Sequence, residues 1–379
     1  MTWQERARDS HAVLVDQYWV RRTGLFRVEA SRRGWVSARV PWGTWHYWWQ
    51  AHALEALLDA YEFDAHEAGD PVAGHRAVRL IQGVVHRTGG DLTANSYYDD
   101  LAWMGLATLR AHRLGLIGAH APLALADAVS VGWDPGLGGV RWRVGDEFRN
   151  VAATAPAAML LAGASQLDGD ARRLGLARAV ADWLHATVVD PSGIVWDGCR
   201  PHGGVLVPEG RLWSYNVGTV AGLDLVLAGM SEALEAQQLL ARAARVLRAG
   251  TAALRAGCSE VGRAVELVAA GSAVPAAPGT WRDELGDGVG VDPHLFRGIL
   301  ARYAADLVLA DPSLRDIAED LVVQAEAAWA ARDGSGRIRA VWGTEGGWVA
   351  PRPAPTLAAH LSGTLTLAGV ARLERAGLI

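Results

Sequence analysis

The sequence predicts an all-α protein folded as an (α/α)6 barrel of six helical hairpins. Apolar residues recur at spacings of three and four along nearly the whole chain, whereas alternating, strand-like runs are few and short. This spacing predicts twelve helical segments. They span approximately residues 2–21, 44–67, 71–87, 98–116, 121–132, 150–167, 171–188, 214–230, 232–254, 293–309, 312–331 and 355–376.

The connections between these segments alternate between short and long. Even-numbered segments are followed by a few residues, as at 68–70 and 168–170, whereas odd-numbered segments are followed by long stretches such as 133–149 and 189–213. Long loops without regular structure are uncommon in compact domains and often carry function. Because they occur at every second junction, we expect them all to emerge at one end of the molecule and to form a cleft there.

The predicted helices also alternate in polarity. Odd-numbered segments carry Arg and Glu on one face, as in 170–185, whereas even-numbered segments such as 215–229 are rich in Ala, Gly, Leu and Val nearly all round. A helix that is apolar on all sides is buried, and a helix with a charged face lies against solvent. The even helices are therefore predicted to be inner and the odd helices outer. No Pro/Ser-rich linker divides the chain, so residues 1–379 are predicted to form a single catalytic domain.

Composition excludes several classes of function. The net charge of −5 gives no global basic field for nucleic acid, and all 36 basic residues are Arg, which removes Schiff-base lysine chemistry and the P-loop lysine. No run approaches the roughly 18 apolar residues of a membrane span, and the N-terminal stretch lacks the apolar core of a signal peptide. We therefore expect a cytoplasmic protein without a cofactor, with Cys199 and Cys258 as free thiols and no Cys-rich metal site.

Two adjacent carboxylates, Asp99 and Asp100, follow Tyr97 and Tyr98 at the start of the fourth predicted helix. Asp is common in the first turn of a helix, where it accepts backbone N–H bonds, so one interpretation is a simple cap. The other is a catalytic pair, since the barrel places this helix start at the cleft. Carboxyl groups roughly 5 Å apart suit a retaining glycosidase, and two close carboxylates resist double ionisation, which keeps one proton available.

Tryptophan is unusually abundant in this chain, with 17 Trp against 7 Tyr and 4 Phe. Flat aromatic faces stack on the C–H faces of sugars, so Trp gathered in loops indicates a ring-lined cleft, although rings that only plug the barrel end are the alternative. Those in or beside predicted connections are Trp35, Trp42, Trp45, Trp48, Trp49, Trp133, Trp142, Trp196, Trp213, Trp281, Trp342 and Trp348.

The stretch Tyr97-Tyr98-Asp99-Asp100-Leu101-Ala102-Trp103 resembles the double-Asp motif of glycoside hydrolase family 76, the endo-α-1,6-mannanases. Other stretches match this family in the same order, namely Trp48-Trp49-Gln50, Arg149-Asn150 with Ala155-Pro156-Ala157-Ala158, Tyr215-Asn216-Val217-Gly218-Thr219, Asp287-Gly288, Phe296-Arg297-Gly298-Ile299 and Arg302-Tyr303. The resemblance extends from about residue 42 to residue 307.

The resemblance implies a metal-independent enzyme that cleaves α-1,6-mannosidic bonds with retention, with Asp99 as the nucleophile and Asp100 as the general acid/base. It implies a carbohydrate partner, either α-mannan or a mannosylated glycolipid. Three positions depart from the family pattern: Val217 replaces Gln, Thr154 replaces Asn, and Arg297 replaces Lys. These departures concern the predicted substrate contacts and leave the carboxylate pair intact.

The predicted substrate-binding residues are aromatic or polar side chains near the helix starts. Each has a plainer alternative: packing for the rings, helix capping for the amides, and a turn for Asp287. They are Trp48, Trp49, Gln50, Tyr98, Trp103, Asn150, Tyr215, Asn216, Asp287, Phe296 and Arg297.

Two other functions remain open at this stage. A sugar epimerase or isomerase on the same barrel would use paired histidines on inner helices, so His52 and His360 would carry the chemistry. A glycan-binding relative with a degenerate site would bind without turnover, although the intact Asp99-Asp100 pair argues against it.

Overall fold

The computed structural model describes residues 1–30, 45–65, 71–258, 260–269, 279–283, 290–342 and 355–379. Within these residues the chain forms thirteen α-helices and five short strands. The helices are α1 Trp3–Tyr18, α2 Tyr47–Ala65, α3 Pro71–Arg87, α4 Tyr98–Arg113, α5 His120–Ser130, α6 Val151–Asp168, α7 Ala171–Thr187, α8 Ser214–Ala228, α9 Ala233–Arg255, α10 Val261–Ala269, α11 Pro293–Ala310, α12 Arg315–Ala330 and α13 Leu357–Arg375. The strands are β1 Trp19–Val20, β2 Leu25–Phe26, β3 Arg149–Asn150, β4 Gly198–His202 and β5 Val205–Glu209.

Six helices form a closed inner ring. Helix α2 contacts α4, and the contacts continue through α6, α8, α11 and α13 back to α2. These helices are the even-numbered segments of the sequence prediction, and they are buried on nearly every side: all residues of α6 from Val151 to Ser165 are buried. The predicted (α/α)6 barrel and its inner helices are therefore confirmed.

The remaining helices of the prediction pack outside this ring. Helices α3, α5, α7 and α9 each lie against the inner helix that precedes them, whereas α1 packs on α13 and α12 packs on both α13 and α11. The outer helices pack through one apolar face, as α9 does with Leu239, Val246 and Leu247, and they expose the other.

Glycine permits the inner helices to approach one another closely. A Cβ atom on Gly218 of α8 would lie 2.8 Å from the Cα atom of Leu300 on α11. A Cβ atom on Gly298 of α11 would lie 2.6 Å from the carbonyl oxygen of Ser362 on α13. Any larger residue at either position would push two inner helices apart, so the sequence requires Gly there.

The direction of the inner helices determines where the site forms. Each inner helix begins after a long connection, and each of the first five ends in a short connection to an outer helix. The N-terminal ends of all six inner helices therefore share one end of the barrel with the long connections. This end is called the cleft end below, and the other is called the closed end.

The long connections contain more regular structure than the sequence indicated. Strands β4 and β5 form a hairpin that turns at Gly203 and Gly204, both with positive φ, and β3 pairs with β4. The helix α10, absent from the twelve predicted segments, lies in the connection between α9 and α11. In the described part of the chain, no helix is long and apolar enough to cross a membrane. Both cysteines, Cys199 and Cys258, are free, as expected.

Candidate active site

Asp99 and Asp100 lie in the first turn of the inner helix α4, at the cleft end of the barrel. The residue preceding the helix is Tyr97, which has extended backbone angles and makes no side-chain capping bond. Asp99 Oδ1 accepts the neighbouring amide of Asp100, at 2.9 Å. The pair does not form a helix cap of the usual kind, so its two carboxyl groups are directed to other partners.

The carboxyl group of Asp99 is bound by the connection between α5 and α6. Trp142 Nε1 donates to Asp99 Oδ2 at 3.0 Å. The same residue accepts the backbone N–H of Tyr98 at 2.9 Å through its carbonyl oxygen. Next to it, Tyr97 and Arg143 form an isolated antiparallel bridge. The start of α4 is thus attached to a loop more than 40 residues further along the chain.

The carboxyl group of Asp100 has a separate set of partners. Asn95 Nδ2 donates to Asp100 Oδ2 at 2.7 Å, and the backbone N–H of Trp48 donates to the same carboxyl group. A third carboxylate lies nearby, because Asp292, at the start of α11, is close enough to raise the pKa of Asp100. Asp292 itself accepts Trp49 Nε1 at 3.2 Å.

The electrostatics of the pair favour one retained proton. In the part of the chain that the structure describes, no Arg or His forms an ion pair with either carboxylate. Burial, and then the charge of Asp100, raises the pKa of Asp99 to about 8. Burial also raises the pKa of Asp100 to about 6, against the hydrogen bonds from Asn95 and Trp48. Near neutral pH the pair therefore holds a single proton.

The order of these two pKa values differs from the order that the predicted roles require. It favours the proton on Asp99 in the free protein, whereas a nucleophilic Asp99 requires the proton on Asp100. Each carboxyl group accepts both a side-chain and a backbone N–H donor, so the kind of hydrogen bonding does not distinguish them. The predicted roles therefore require the shared proton to move to Asp100 before the reaction starts.

Aromatic rings from three inner helices meet around the carboxylate pair. The ring of Trp48 packs on Phe296 with centroids 6.2 Å apart, and Phe296 packs on Tyr215 at 4.0 Å and on Trp213 at 5.5 Å. Trp48 is partly exposed, and the others are largely buried. The fold thus brings Trp48, Tyr215 and Phe296 together, and their predicted contact with substrate stays a prediction.

His52 lies beneath this aromatic cluster. Its ring is 4.7 Å from the ring of Trp103 and 5.7 Å from that of Trp48, and neither ring nitrogen has a hydrogen-bond partner. Burial, with a smaller contribution from Arg302, lowers the pKa of His52 to about 3. Its imidazole is therefore neutral. The ring of Trp103 is directed to this buried layer.

A second polar group lies at the start of α8. Asn216 Nδ2 donates to Asp197 Oδ1 at 2.9 Å, while Asn216 Oδ1 is buried without a partner. Burial raises the pKa of Asp197 to about 6, against hydrogen bonds from Asn216 and Trp213. Tyr215 connects the two groups, because the charges of Asp197 and Asp99 both act on its hydroxyl and, after burial, raise its pKa. The unpaired carbonyl of Asn216 suits a hydroxyl donor.

Several predicted binding residues use their polar atoms within the protein. Gln50 is fully buried and pairs with both the N–H and the carbonyl of Phe26, each at 2.9 Å. Asn150 caps α6 by accepting the N–H of Ala153 at 3.1 Å, which was the plainer alternative for this residue. These side chains therefore stabilise the helix and the chain segment that surround the site.

Two further predicted residues also face away from the carboxylates. Arg297 donates to the carbonyl oxygens of Trp281 and Ala340, and its guanidinium lies 3.9 Å from the ring centroid of Trp342. The Tyr98 ring lies so close to Gly132 that a Cβ atom there would be 2.9 Å away. Asp287 lies outside the described residues, so its predicted role stays a prediction.

His360 has no free ring nitrogen. Its Nδ1 accepts the N–H of Ile338 at 3.0 Å, and its Nε2 is 3.0 Å from the carbonyl oxygen of Ser10. A pair of free histidines, which the isomerase alternative requires, is therefore not formed by His52 and His360.

Three polar residues of the site escaped the sequence prediction: Asn95, Asp197 and Asp292. Trp142 was predicted only as one of the loop rings that line the cleft, and its bond to Asp99 was not foreseen. Asn95 lies directly before the double-Asp motif, and Asp292 precedes the Pro that begins α11, so both positions carried a local signal. Trp142 and Asp197 lie within long connections, and only the folded chain brings them to α4 and α8.

A barrel of inner and outer helices with an adjacent carboxyl pair and aromatic rings at one end defines a carbohydrate-cleaving class of enzyme. The chain matches the sequence model of glycosyl hydrolase family 76 over residues 2–352 and belongs to this family of glycoside hydrolases. No curated protein matches the chain.

Solved structures support the same assignment. The GH76A α-1,6-mannanase from Salegentibacter sp. HEL1_6 is 26% identical, with a TM-score of 0.78 over 98% of this chain and 100% of that chain. An inactive variant of that enzyme, with two Asp residues replaced by Ala, is described in complex with α-1,6-mannotetrose (26% identity, TM-score 0.79, 98% and 100% coverage). A family 76 mannosidase from Bacteroides thetaiotaomicron shares the fold at 16% identity and a TM-score of 0.75, with 99% of each chain covered.

Proposed function

We propose that this glycoside hydrolase cleaves α-1,6-mannosidic linkages with retention of configuration. The observation that carries the proposal is the pair Asp99 and Asp100, which is held at the start of an inner helix by separate donors and keeps one proton near neutral pH. A retaining hydrolase needs one ionised and one protonated carboxyl group close together.

The proposed reaction has two displacements. Asp99 attacks the anomeric carbon while Asp100 gives its proton to the departing glycosidic oxygen, which leaves a mannosyl ester on Asp99. Asp100 then takes a proton from water, and the resulting oxygen attacks the anomeric carbon and releases Asp99. Both carboxyl groups return to their starting states, and no metal ion takes part.

The surroundings of the pair support a sugar substrate. The partly exposed ring of Trp48 offers an apolar face for a mannose ring. Asp197 and the unpaired carbonyl of Asn216 provide acceptors for sugar hydroxyls on the α8 side of the cleft. The α-1,6 linkage is supported by the mannanase from Salegentibacter, and either α-mannan or a mannosylated glycolipid fits this chemistry. The expected cytoplasmic location stays a proposal.

The test is incubation of the purified protein with α-1,6-mannotetraose, with products identified by mass spectrometry. We expect shorter α-1,6-manno-oligosaccharides, and much slower cleavage of α-1,2- and α-1,3-linked oligomers as controls. Proton NMR recorded in the first minutes should show the α-anomer of the new reducing end. Initial β-anomer would overturn the retaining mechanism, and equal cleavage of all linkages would overturn the specificity.

The same preparation tests the other two functions. Free mannose incubated with the protein should remain mannose, because His360 has no free nitrogen and His52 stays neutral in the interior. Conversion to fructose or glucose would support an isomerase or epimerase. Binding of mannotetraose without any product would support a glycan-binding protein.

A further inference from the structure

The two carboxyl groups of the site are each held by one side-chain donor, and the two donors come from different loops. Trp142 belongs to the connection between α5 and α6, and Asn95 belongs to the connection between α3 and α4. Neither donor contacts the other carboxyl group in the hydrogen bonds of the described residues. Two acids that are neighbours in sequence therefore have independent supports.

The position of Trp142 is fixed by two backbone hydrogen bonds and by a ring contact. Its backbone N–H donates to the carbonyl of Phe148 at 2.7 Å, and its carbonyl accepts the N–H of Tyr98. Its ring packs edge-on against Tyr97 with centroids 5.2 Å apart. The indole N–H is thus aimed at Asp99 by contacts that do not depend on substrate.

Asn95 is fixed in a comparable way by its own loop. Its Oδ1 accepts the N–H of Tyr97 at 2.9 Å, and this bond orients the amide so that Nδ2 faces Asp100. The backbone N–H of Trp48, from α2, reaches the same carboxyl group. Asp100 is therefore turned towards α2 and the α3–α4 connection, and Asp99 is turned towards the α5–α6 connection.

We propose that Trp142 and Asn95 are positioning residues that separate the roles of the two acids: Trp142 orients Asp99 for attack, and Asn95 orients Asp100 for proton transfer. This inference rests on the proposed retaining hydrolysis. By this inference the loop residues, rather than the two Asp residues themselves, determine which Asp is the nucleophile and which is the acid.

Apart from Arg143, whose guanidinium lies 5.5 Å from the ring centroid of Trp142, the other charged groups near the pair are the same for both variants proposed below. The charge of Asp100 acts on Asp99, that of Asp292 acts on Asp100 from the start of α11, and that of His46 acts on Asp292. The hydroxyls of Tyr215 and Tyr47 face Asp99 and Asp100, respectively, and both have pKa values raised by burial, which keeps them neutral. A change in the titration of Asp99 or Asp100 in these variants therefore reports the loss of the hydrogen bond from Trp142 or Asn95, respectively.

The experiment compares Trp142→Phe with Asn95→Ala on two substrates. One is α-1,6-mannotetraose, whose leaving group needs a proton. The other is the 2,4-dinitrophenyl glycoside of α-1,6-mannobiose, whose leaving group needs none. The rate of the first step is read as the burst of dinitrophenolate in stopped flow.

We expect Asn95→Ala to slow mannotetraose cleavage by about 10²-fold, because general acid catalysis contributes on that order, and to leave the dinitrophenolate burst within about threefold of wild type. We expect Trp142→Phe to slow the burst and mannotetraose cleavage by similar factors, because attack is needed for both. Equal losses on both substrates in both variants would overturn the separation of roles.

The pH dependence gives a second readout that a purely structural effect does not produce. Loss of a donor to a carboxylate raises its pKa by about one pH unit. Because kcat/KM reports the free protein, where the higher pKa belongs to Asp99 and the lower to Asp100, Trp142→Phe should move the basic limb of kcat/KM to higher pH, and Asn95→Ala should move the acid limb to higher pH. Limbs that stay in place, or that move together, would contradict the proposal.

Matched controls are available for both loops, since Trp183 of α7 binds the α5–α6 connection and Asp91 lies in the α3–α4 connection. Trp183→Phe removes an indole donor to the α5–α6 connection, the bond to the carbonyl of Leu137 at 3.0 Å, without touching either acid. Asp91→Ala removes a turn in the loop of Asn95, where Asp91 accepts from Thr93 at 2.7 Å. Both controls should keep the wild-type ratio of the rates on the two substrates and the wild-type pH limbs. A changed ratio in either control would mean that Trp142 and Asn95 only stabilise their loops.

A substrate-free measurement separates this inference from the proposed function. Carbon-13 NMR titration of the Asp side chains in the free protein should show one carboxyl group shifted by Trp142→Phe and the other by Asn95→Ala. If wild type cleaves neither substrate, the proposed hydrolysis fails, whereas the titration still tests the separate supports. Identical titrations in wild type and both variants would overturn the inference alone.

Discussion

At the cleft end of the barrel, Asp99 and Asp100 lie beside each other with no guanidinium partner among the described residues, and burial raises both pKa values. At the closed end, Asp59 is buried as well, but it pairs with Arg302 and Arg110 at 2.7 Å each. Burial alone would raise the pKa of Asp59; the two guanidiniums outweigh it and hold the pKa well below its usual range. Opposite protonation behaviour therefore comes from different partners at similar burial.

The same helices supply both ends. Helix α2 carries Trp48 in its first turn and Asp59 near its end, and α4 carries Asp99 in its first turn and Arg110 in its last. Basic residues near a helix C-terminus are favoured by the helix dipole, and Arg110 occupies such a position; it lines a cavity of about 370 Å³ together with Arg302. The charges at the closed end neutralise one another, so that end stabilises the barrel. The charges at the cleft end remain uncompensated, and that end carries the proposed catalytic pair.

The strongest test of this comparison is the replacement of the two cleft acids. We expect Asp99→Asn and Asp100→Asn each to lower kcat/KM on α-1,6-mannotetraose by about 10³-fold or more. Neither should destabilise the fold. A carboxyl group whose folded pKa is raised costs stability as pH rises from its ordinary value of 3.8 towards the folded value. Urea unfolding at pH 7.5 should therefore show the Asn variants more stable, on the order of 1–2 kcal/mol, and equal to wild type near pH 4.

Wild-type activity in either variant would remove that Asp from the mechanism. A loss of stability at pH 7.5 would show that the carboxylates are structural, and the contrast between the two ends would disappear.

The corresponding change at the closed end should have the reverse effect. Asp59→Asn leaves Arg110 and Arg302 with less compensation in a buried network, and we expect a loss of about 3–5 kcal/mol in the free energy of unfolding. Because the folded pKa of Asp59 is lowered, its contribution is complete above pH about 4 and is lost as pH falls below it. Activity per folded molecule should remain near wild type.

Asp316→Asn is the matched control for this change, since Asp316 pairs with Arg248 on the exposed surface, with side chains 55% and 50% exposed. Such a pair contributes about 1 kcal/mol or less. Equal losses in the two variants would mean that the buried network has no special weight.

A bell-shaped pH profile follows from the cleft end alone. With pKa values of about 6 and about 8 for the pair, activity should be highest near pH 7 and fall about tenfold per pH unit beyond either value. The measurement is kcat/KM on α-1,6-mannotetraose between pH 5 and 9. Burial also raises the pKa of Asp197 and Asp283 to about 6, so Asp197→Asn and Asp283→Asn serve as controls for the acid limb. An activity that rises steadily above pH 8 would contradict a required proton on the pair.

The parts of the fold that repeat along the chain were predictable from the sequence. Alternating connection lengths and helix polarity gave the inner and outer rings, because both follow from which face of each helix is apolar. The hairpin of β4 and β5 was missed, although Gly203-Gly204 between two short runs is a turn signal. Helix α10 was missed because its nine residues were taken as part of a long loop.

The site residues likewise divide into those that the sequence predicted and those that it did not. Asp99 and Asp100 were predictable because they are adjacent and begin a helix whose place in the barrel was known. The bond from Trp142 to Asp99 joins residues 43 positions apart, and that from Asn216 to Asp197 joins α8 to the long connection that precedes it. Such contacts depend on how each loop folds back, which no periodicity records.

The three departures from the family pattern have a structural explanation that the sequence did not indicate. Val217 packs against Gly250 of α9, where a Cβ atom would lie 2.5 Å from its methyl groups, so it faces the outer ring. Arg297 supports the loops at Trp281 and Ala340. Thr154 is bonded to the backbone of Val140, within the connection that also carries Trp142. All three residues therefore support the helices and loops that surround the cleft.

The smallest expected effect tests this last point. Thr154→Val keeps the shape of the side chain and removes the hydroxyl that accepts the N–H of Val140 at 3.1 Å. The buried amide would then lack a partner, and we expect a loss of about 1–2 kcal/mol in urea unfolding. Thr366→Val is the control, because Thr366 only donates to the carbonyl of Ser362 within its own helix at 2.8 Å, and no buried amide is orphaned. If Thr154 contacted the substrate, Thr154→Val would raise KM for mannotetraose without changing stability. Because Thr154 supports the Trp142 loop, we expect the substitution to lower stability and to leave KM near wild type.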